Sequence, residues 1–146
     1  MSYNTIKLES ISKKYESMSI LHNISFNFSS PNIYTIFGKN GVGKTTLLNL
    51  ICKNIPVSSG SISVTSEDII FVKNNDIPFY YFTGLEFITF TLKLKKKYYS
   101  QKKLEYLIKE FSLEEHINKY IKSYSDGMKS KLFYIIIIIS KPNIIL

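Results

Sequence analysis

The sequence predicts an α/β fold built around a phosphate-binding loop, and three observations lead to this prediction. Residues 38–45 have the spacing G-x-x-x-x-G-K-[ST], short alternating apolar runs flank them, and helical spacing takes over after Pro78. Alternation with a period of two is typical of half-buried strands, and spacing of three and four residues is typical of helices. At 146 residues the chain has room for one domain.

The residues before the loop predict strands. Residues 6–11 and 20–28 alternate apolar and polar side chains, as strands with one buried face do. Residues 13–18, between them, predict a turn. Residues 33–37 form an apolar, β-branched and aromatic run, which predicts a buried strand leading into the loop.

The stretch 38–45 has the pattern of a Walker A loop, which binds phosphate. Its glycines let the backbone wrap around an anion, so that successive N–H groups point at it. Lys44 supplies a positive charge for the β- and γ-phosphates, and Thr45 supplies a hydroxyl for Mg²⁺. Residues 45–53 predict a helix whose N-terminus adds partial positive charge. The chain is therefore predicted to bind a nucleoside triphosphate, or to descend from one that did, through Gly38, Lys39, Asn40, Gly41, Val42, Gly43, Lys44, Thr45 and Thr46.

The residues after the loop predict two more strands and then helices. The strands are expected at 61–64 and 68–72. From residue 78 to residue 124 apolar side chains recur at helical spacing, which predicts a helical insertion with a third, interrupted helix over 113–124. Ser100 is predicted to cap the second of these helices.

The last quarter of the chain predicts one more helix and the start of a strand. Residues 127–140 predict the helix, although the isoleucines at 135–139 are mediocre helix formers. Residues 144–146 predict the strand. The longest apolar run, 132–139, is far shorter than the roughly 20 residues that cross a bilayer, so no membrane span is predicted.

Composition limits the classes of partner and chemistry. The formal net charge is +8, yet all 19 basic residues are lysine and the chain has no arginine. Such a skew indicates codon bias and solvated lysines, so no nucleic-acid partner is predicted. The missing arginine argues against nucleoside-monophosphate kinases and AAA-type ATPases, which use arginine at phosphates. Cys52 is the single cysteine, which excludes an internal disulfide.

Together with the loop and the helical insertion, residues 124–129 make the chain resemble the nucleotide-binding domain of ATP-binding-cassette (ABC) transporters. That family has a Leu-Ser-Gly-Gly-Gln signature after a helical subdomain, and the signature stretch here is Ser125, Asp126, Gly127 and Met128. Asp126 replaces the usual Gly, and Met128 replaces the usual Gln. Ser125 stands at an N-cap position, where its hydroxyl and the following helix can form a second anion site.

The resemblance implies further roles. Tyr15 stands where the family stacks an aromatic ring on adenine, and Asn74 stands at the position of the Gln that contacts Mg²⁺ and the attacking water. The family's Walker B Asp, catalytic Glu and switch His would come after residue 146, and His22 and His116 do not replace them. No catalytic residue is therefore certain, beyond phosphate stabilisation by Lys44. We expect the 146-residue chain to bind Mg·ATP and to hydrolyse it very slowly or not at all.

The implied fold is a P-loop NTPase core of ABC type, with an N-terminal antiparallel β part, a helical subdomain insertion and a sheet incomplete at the C-terminus. Its expected parts are a β part and P-loop core (1–77), a helical subdomain (78–124), and the signature helix with the start of the Walker B strand (125–146).

The implied function is the ATP-binding subunit of a transporter, peripheral to the inner face of the cell membrane. It would dock on a separate permease subunit and pair head to tail with a second nucleotide-binding domain, so that the signature caps the partner's γ-phosphate. A non-hydrolytic nucleotide-binding module without a transport role is one alternative. A soluble cassette ATPase acting on ribosomes or DNA is another.

Overall fold

A computed structural model describes residues 5–72 and 79–146. Contacts within the chain divide it into two units, Met1–Phe71 with Asn143–Leu146, and Val72–Pro142. The elements, in chain order, are β1 (Thr5–Tyr15), β2 (Met18–Ser29), α1 (Lys44–Ile51), β3 (Ser59–Val64), β4 (Ile69–Ile70), α2 (Gly84–Leu94), α3 (Gln101–Glu110), a 3₁₀ turn (Ile121–Ser123), α4 (Asp126–Ser140) and β5 (Ile144–Ile145). The predicted α/β class is confirmed. No helix in the described ranges is long and apolar enough to cross a membrane.

The first unit is built on an antiparallel sheet with the strand order β2-β1-β3. Ile6 of β1 lies opposite Phe28 of β2 on one side and Val64 of β3 on the other. Ile6 and Leu8 of β1 face inward because successive residues of a strand point to opposite faces, and an irregularity between Leu8 and Ile11 shifts the alternation by one residue so that Ile11 is also buried. The buried core of this unit comprises Ile6, Leu8, Ile11, Leu21, Leu47, Leu50 and Ile51. Three of these residues come from α1, which therefore packs on the sheet.

A second, smaller sheet in this unit pairs β4 with β5 in parallel. Ile69 lies opposite Ile144, and Ile70 lies opposite Ile145. The amide of Leu146 donates a 2.8 Å hydrogen bond to the carbonyl of Ile70 and extends the pairing by one step. Two predicted strands, 68–72 and 144–146, are thus present in shortened form and are each other's partners.

The second unit is helical. α2 turns Phe87, Ile88 and Leu92 inward and packs on α4, and α3 also packs on α4. The buried apolar residues of α4 are Leu132, Ile135, Ile136 and Ile139, with spacing that places them on one face of a helix. Packing of this face outweighs the weak helix preference of the isoleucines, which is why the predicted helix forms despite them.

The predicted buried strand at 33–37 is wrong. The described backbone from residue 32 to residue 39 takes part in no strand. Ile33 is 98% exposed and Phe37 is 87% exposed. An apolar β-branched run becomes a strand only where a neighbouring strand supplies hydrogen bonds and cover, and no described segment does so here.

Three smaller predictions also need correction. The turn expected at 13–18 is only two residues long, because β1 runs to Tyr15 and β2 starts at Met18. The third helix expected over 113–124 is a series of turns ending in a 3₁₀ turn, which still buries Leu113 and Ile117. Ser100 does precede α3, but its side chain makes no capping hydrogen bond.

Candidate nucleotide-binding site

The loop leads directly into α1, as predicted, and Gly43 is the N-cap residue immediately before the helix. Gly43 adopts a left-handed conformation with φ 105°, which side chains other than glycine rarely accept. A Cβ atom at this position would lie 2.9 Å from Ile20 Cγ2 and 2.8 Å from Leu21 Cδ2. Both the backbone angle and the close approach to β2 therefore require glycine here.

The N-terminus of α1 is left open to a ligand. The first N–H groups of a helix lack partners within the helix and need other acceptors. No described side chain caps α1, and its first turn contains no acidic residue. By contrast, Thr83 caps α2 and Ser125 caps α4. The first turn of α1 therefore presents uncompensated positive charge, which suits an anion.

Lys44 holds its ammonium against the loop itself. Its Nζ donates hydrogen bonds to the carbonyl oxygen of Gly38 at 2.7 Å and to that of Lys39 at 2.9 Å. A second contact tightens the loop, because the amide of Val42 donates to the same carbonyl of Lys39 at 3.3 Å. The positive charge of Lys44 is thus held at the loop by these two carbonyl oxygens.

The remaining predicted loop residues are accessible. Lys39, Asn40, Gly41, Val42 and Thr45 are exposed, and Thr46 is half-buried. Exposure of the Thr45 side chain at the start of α1 leaves its hydroxyl available as a metal ligand.

Tyr15 ends β1 at the hairpin beside the loop. It pairs in register with Met18, and Lys13 pairs with Leu21, the residue that contacts Gly43. The Nζ of Lys13 lies 4.9 Å from the centroid of the Tyr15 ring and donates a 2.7 Å hydrogen bond to the carbonyl of Pro56. A cation over an aromatic ring is attracted by its π-electrons, so Lys13 fixes the ring while leaving it 48% exposed.

The signature stretch opens α4, in the other unit. Ser125 is its N-cap, as expected, and its Oγ accepts a 3.2 Å hydrogen bond from the amide of Met128. Asp126 and Gly127 are exposed beside it. The Nζ of Lys129 lies 3.1 Å from the Oδ1 of Asp126, so the acidic residue that replaces Gly is paired with a cation one helical turn later.

Asn74, the predicted contact to Mg²⁺, lies outside the described residues. Sequence reasoning missed four supporting residues, which are Lys13, Ile20, Leu21 and Lys129. Ile20 and Leu21 pack against Gly43, and no local sequence pattern indicated this contact. The Asp126–Lys129 pair could have been found, because charges of opposite sign three residues apart on a helix are neighbours.

A sequence model described as ABC transporter matches residues 21–146. The chain belongs to this family. The spermidine/putrescine import ATP-binding protein PotA of Thermotoga maritima is 27% identical to the chain, over 97% of the chain and 42% of PotA. The chain thus spans about two fifths of the length of this relative.

Solved structures agree on the ABC fold. An ABC transporter ATP-binding protein from Pyrococcus furiosus matches with a TM-score of 0.76 at 16% identity, over 94% of the chain and 72% of that protein. A nucleotide-free ATP-binding cassette from an ABC transporter matches with a TM-score of 0.71 at 18% identity, over 97% of the chain and 67% of the cassette. The predicted P-loop core of ABC type is confirmed by these likenesses.

Proteins of this ABC family bind ATP, and the loop residues of this chain fit the phosphate tail of ATP. The fit rests on the uncapped start of α1, on the glycines that bring the backbone close, and on the ammonium of Lys44 beside them. Of the residues for Mg²⁺, only Thr45 lies in the described part of the chain.

Proposed function

We propose that this chain is the ATP-binding part of an ABC transporter, which binds Mg·ATP and drives transport through a separate membrane subunit. Membership of the family supports this, as does the likeness to an import ATP-binding protein. The observation that carries the proposal is the contact of the Lys44 ammonium with the loop carbonyls of Gly38 and Lys39. It keeps a cation at the uncapped start of α1, where a triphosphate would need one.

Each part of the loop has a task in this proposal. The amides of the first turn of α1 would donate hydrogen bonds to the phosphate oxygens, and Lys44 would exchange its carbonyl acceptors for the same oxygens. Thr45 would provide a ligand to Mg²⁺, which neutralises charge on the phosphates when it is bound. Tyr15 would cover the adenine ring with the face that Lys13 leaves open.

The test is binding of a fluorescent ATP analogue to the purified chain, with and without Mg²⁺. We expect saturable, magnesium-dependent binding. Lys44→Ala should weaken it by about tenfold or more, because a hydrogen bond from a charged group contributes about 1.5–3 kcal/mol. Lys102→Ala removes an exposed lysine of α3 and is the control for the lost charge. Absence of saturable binding by the folded chain, or binding indifferent to Lys44→Ala, would overturn the proposal.

We also propose that the signature completes the site of a second copy in a head-to-tail dimer. Ser125 is exposed at the N-terminus of a 15-residue helix, so its hydroxyl and the adjacent amides can receive a phosphate. Light scattering should report a mass of twice 16.9 kDa when Mg·ATP is present. Ser125→Asp keeps a capping side chain but repels phosphate, so this variant should stay monomeric with Mg·ATP. A dimer that forms equally well with Ser125→Asp would contradict this role.

A further inference from the structure

Lys13 is a buried lysine that takes no part in the phosphate-binding loop. It is 8% exposed, whereas lysine is almost never buried in proteins unless it is paired. Its polar contact in the described part of the chain is to a neutral carbonyl, that of Pro56 at 2.7 Å, and not to a carboxylate. Burying an ammonium that has no ion-pair partner costs free energy. The position of Lys13 therefore indicates a role beyond packing.

The backbone of β1 is irregular on both sides of Lys13, where its register with β2 shifts. Such irregularities re-aim a side chain and are common next to functional sites. The segment before β3 is held against the same stretch, because the amide of Ser58 donates to the carbonyl of Ser12 at 2.9 Å and Ser58 Oγ accepts from the amide of Lys14 at 3.0 Å. These hydrogen bonds fix the carbonyl of Pro56 beside Lys13.

The ammonium of Lys13 also lies over the ring of Tyr15, with its Nζ 4.9 Å from the ring centroid. Tyr15 stays 48% exposed, so a planar ligand can reach its ring. The faces of an aromatic ring are negative, which makes direct stacking of two rings less favourable than an offset arrangement. A cation over one face attracts the π-electrons of the ring. The opposite face of Tyr15 therefore repels the π-electrons of a stacked ring less than an isolated tyrosine would.

We propose that Lys13 is a positioning residue for the base of the bound nucleotide. It holds the ring of Tyr15 from one side and lowers the negative charge on the face that the base covers. The inference rests on the proposed function, since that function places a nucleotide beside Tyr15. The new element is that the positive charge of Lys13, and not only its hydrogen bond to Pro56, strengthens stacking of the base.

The test compares the affinity of the full chain for ATP with its affinity for inorganic tripolyphosphate, both with Mg²⁺, by competition against the fluorescent ATP analogue. Tripolyphosphate has no base, so the ratio of the two affinities measures what the nucleoside contributes. Lys13→Gln and Lys13→Arg form a matched pair, because both side chains can donate to the carbonyl of Pro56 and only arginine is charged. Lys13→Gln should lower the ratio by about threefold to tenfold, and Lys13→Arg should keep it within about twofold. A ratio that Lys13→Gln leaves unchanged, or that Lys13→Arg lowers equally, would overturn the proposal.

Two further variants show whether Lys13 acts through Tyr15. Lys14→Gln removes the exposed lysine next in the chain, and its ratio should stay that of the parent chain, because a distant charge acts on ATP and tripolyphosphate alike. Tyr15→Leu removes the ring and should lower the ratio at least as far as Lys13→Gln does. In the Tyr15→Leu background, Lys13→Gln should lower the ratio no further. Equal lowering by Lys14→Gln, or a full further loss in the double variant, would overturn the proposal.

Binding of tripolyphosphate separates this inference from the proposed function. A chain that binds ATP and tripolyphosphate equally, and binds both more weakly as Lys44→Ala, supports the proposed phosphate site and overturns the role of Lys13 alone. A chain that binds neither overturns the proposed function, and the role of Lys13 falls with it. Urea unfolding checks that Lys13→Gln is folded, and its affinity for tripolyphosphate should match that of Lys14→Gln. If both affinities of Lys13→Gln fall in proportion, the ratio is unchanged and Lys13 supports the fold only.

Discussion

Gly84 lies directly against the hydroxyl of Tyr124, so that the first residue of α2 meets the residue just before the signature stretch. The same hydroxyl donates a 2.6 Å hydrogen bond to the carbonyl of His116. Burial raises the pKa of the Tyr124 phenol, and a hydrogen bond with the backbone of Gly84 acts in the opposite direction. Three segments that are distant in sequence are therefore joined at one hydroxyl.

Gly84→Ala should destabilise the chain by about 1–3 kcal/mol, as overpacking of a core does. A Cβ at Gly84 would meet the Tyr124 hydroxyl, and would lie 3.1 Å from Ile117 Cδ1 and 3.2 Å from Leu132 Cδ2. Urea unfolding measures the decrease in the free energy of unfolding. Tyr124→Phe should restore part of it in the Gly84→Ala background, because the colliding atom is removed. Strictly additive effects of the two substitutions would contradict the contact.

Gly43→Ala should impair both folding and nucleotide binding, and more than Gly41→Ala does. Both glycines have a positive φ, 105° and 83°, so alanine is strained at either position by about 1–2 kcal/mol. Only Gly43 has close neighbours, Ile20 and Leu21, whereas a Cβ at Gly41 meets nothing within 4 Å. Affinity for the ATP analogue and the urea midpoint should therefore fall further for Gly43→Ala. Equal losses in the two variants would mean that packing on β2 is unimportant.

What the sequence predicts well depends on neighbours along the chain. The loop spacing, the helix that follows it and the Ser125 cap each involve residues within a few positions of one another. Helices α2, α3 and α4 of the second unit follow from apolar spacing, although the same spacing over 113–124 predicted a helix where the structure has turns. For these features a local pattern contains the necessary information.

What the sequence does not predict depends on distant partners. The run 33–37 has the composition of a strand, but its state depends on a neighbouring strand that no local pattern reveals. Contact of Ile20 and Leu21 with Gly43 requires the three-dimensional arrangement of the β1–β2 hairpin and the loop. The position of Lys13 over Tyr15 likewise depends on the extension of β1 to Tyr15, which places the two residues on the same strand.

Glu86 should make the stability of α2 depend on pH on the acid side. Its carboxylate accepts from the amide of Thr83, while its own amide donates to Thr83 Oγ1 at 3.2 Å. The hydrogen bonds from the Thr83 backbone and hydroxyl lower the folded pKa of Glu86. The unfolded chain keeps the ordinary value, so the stabilisation is present above that value and is lost as pH falls through the lower, folded value.

Urea unfolding between about pH 7 and pH 3 measures this effect. Glu86→Ala should have a lower free energy of unfolding than the parent chain at neutral pH. The difference between the two should shrink as the pH falls towards about 3. Glu86→Gln can still accept hydrogen bonds from Thr83, but its side chain does not titrate. The free energy of unfolding of this variant should therefore not fall as Glu86 of the parent chain becomes protonated. A gap between Glu86→Ala and the parent chain that stays constant over the range would contradict the prediction.

Ser140→Ala should stabilise the chain. Ser140, the last residue of α4, is 3% exposed, and its hydroxyl has no hydrogen-bond partner in the described part of the chain. A buried hydroxyl without a partner costs about 1–3 kcal/mol, and alanine also has the higher helix propensity, so we expect a gain of about 0.5–2 kcal/mol. Ser130→Ala, in the same helix, is the control, because the Ser130 hydroxyl donates a 3.0 Å hydrogen bond to the carbonyl of Asp126. Its gain should be smaller, since a hydrogen bond is lost. If urea unfolding finds the two variants equally stable, the buried hydroxyl of Ser140 carries no penalty.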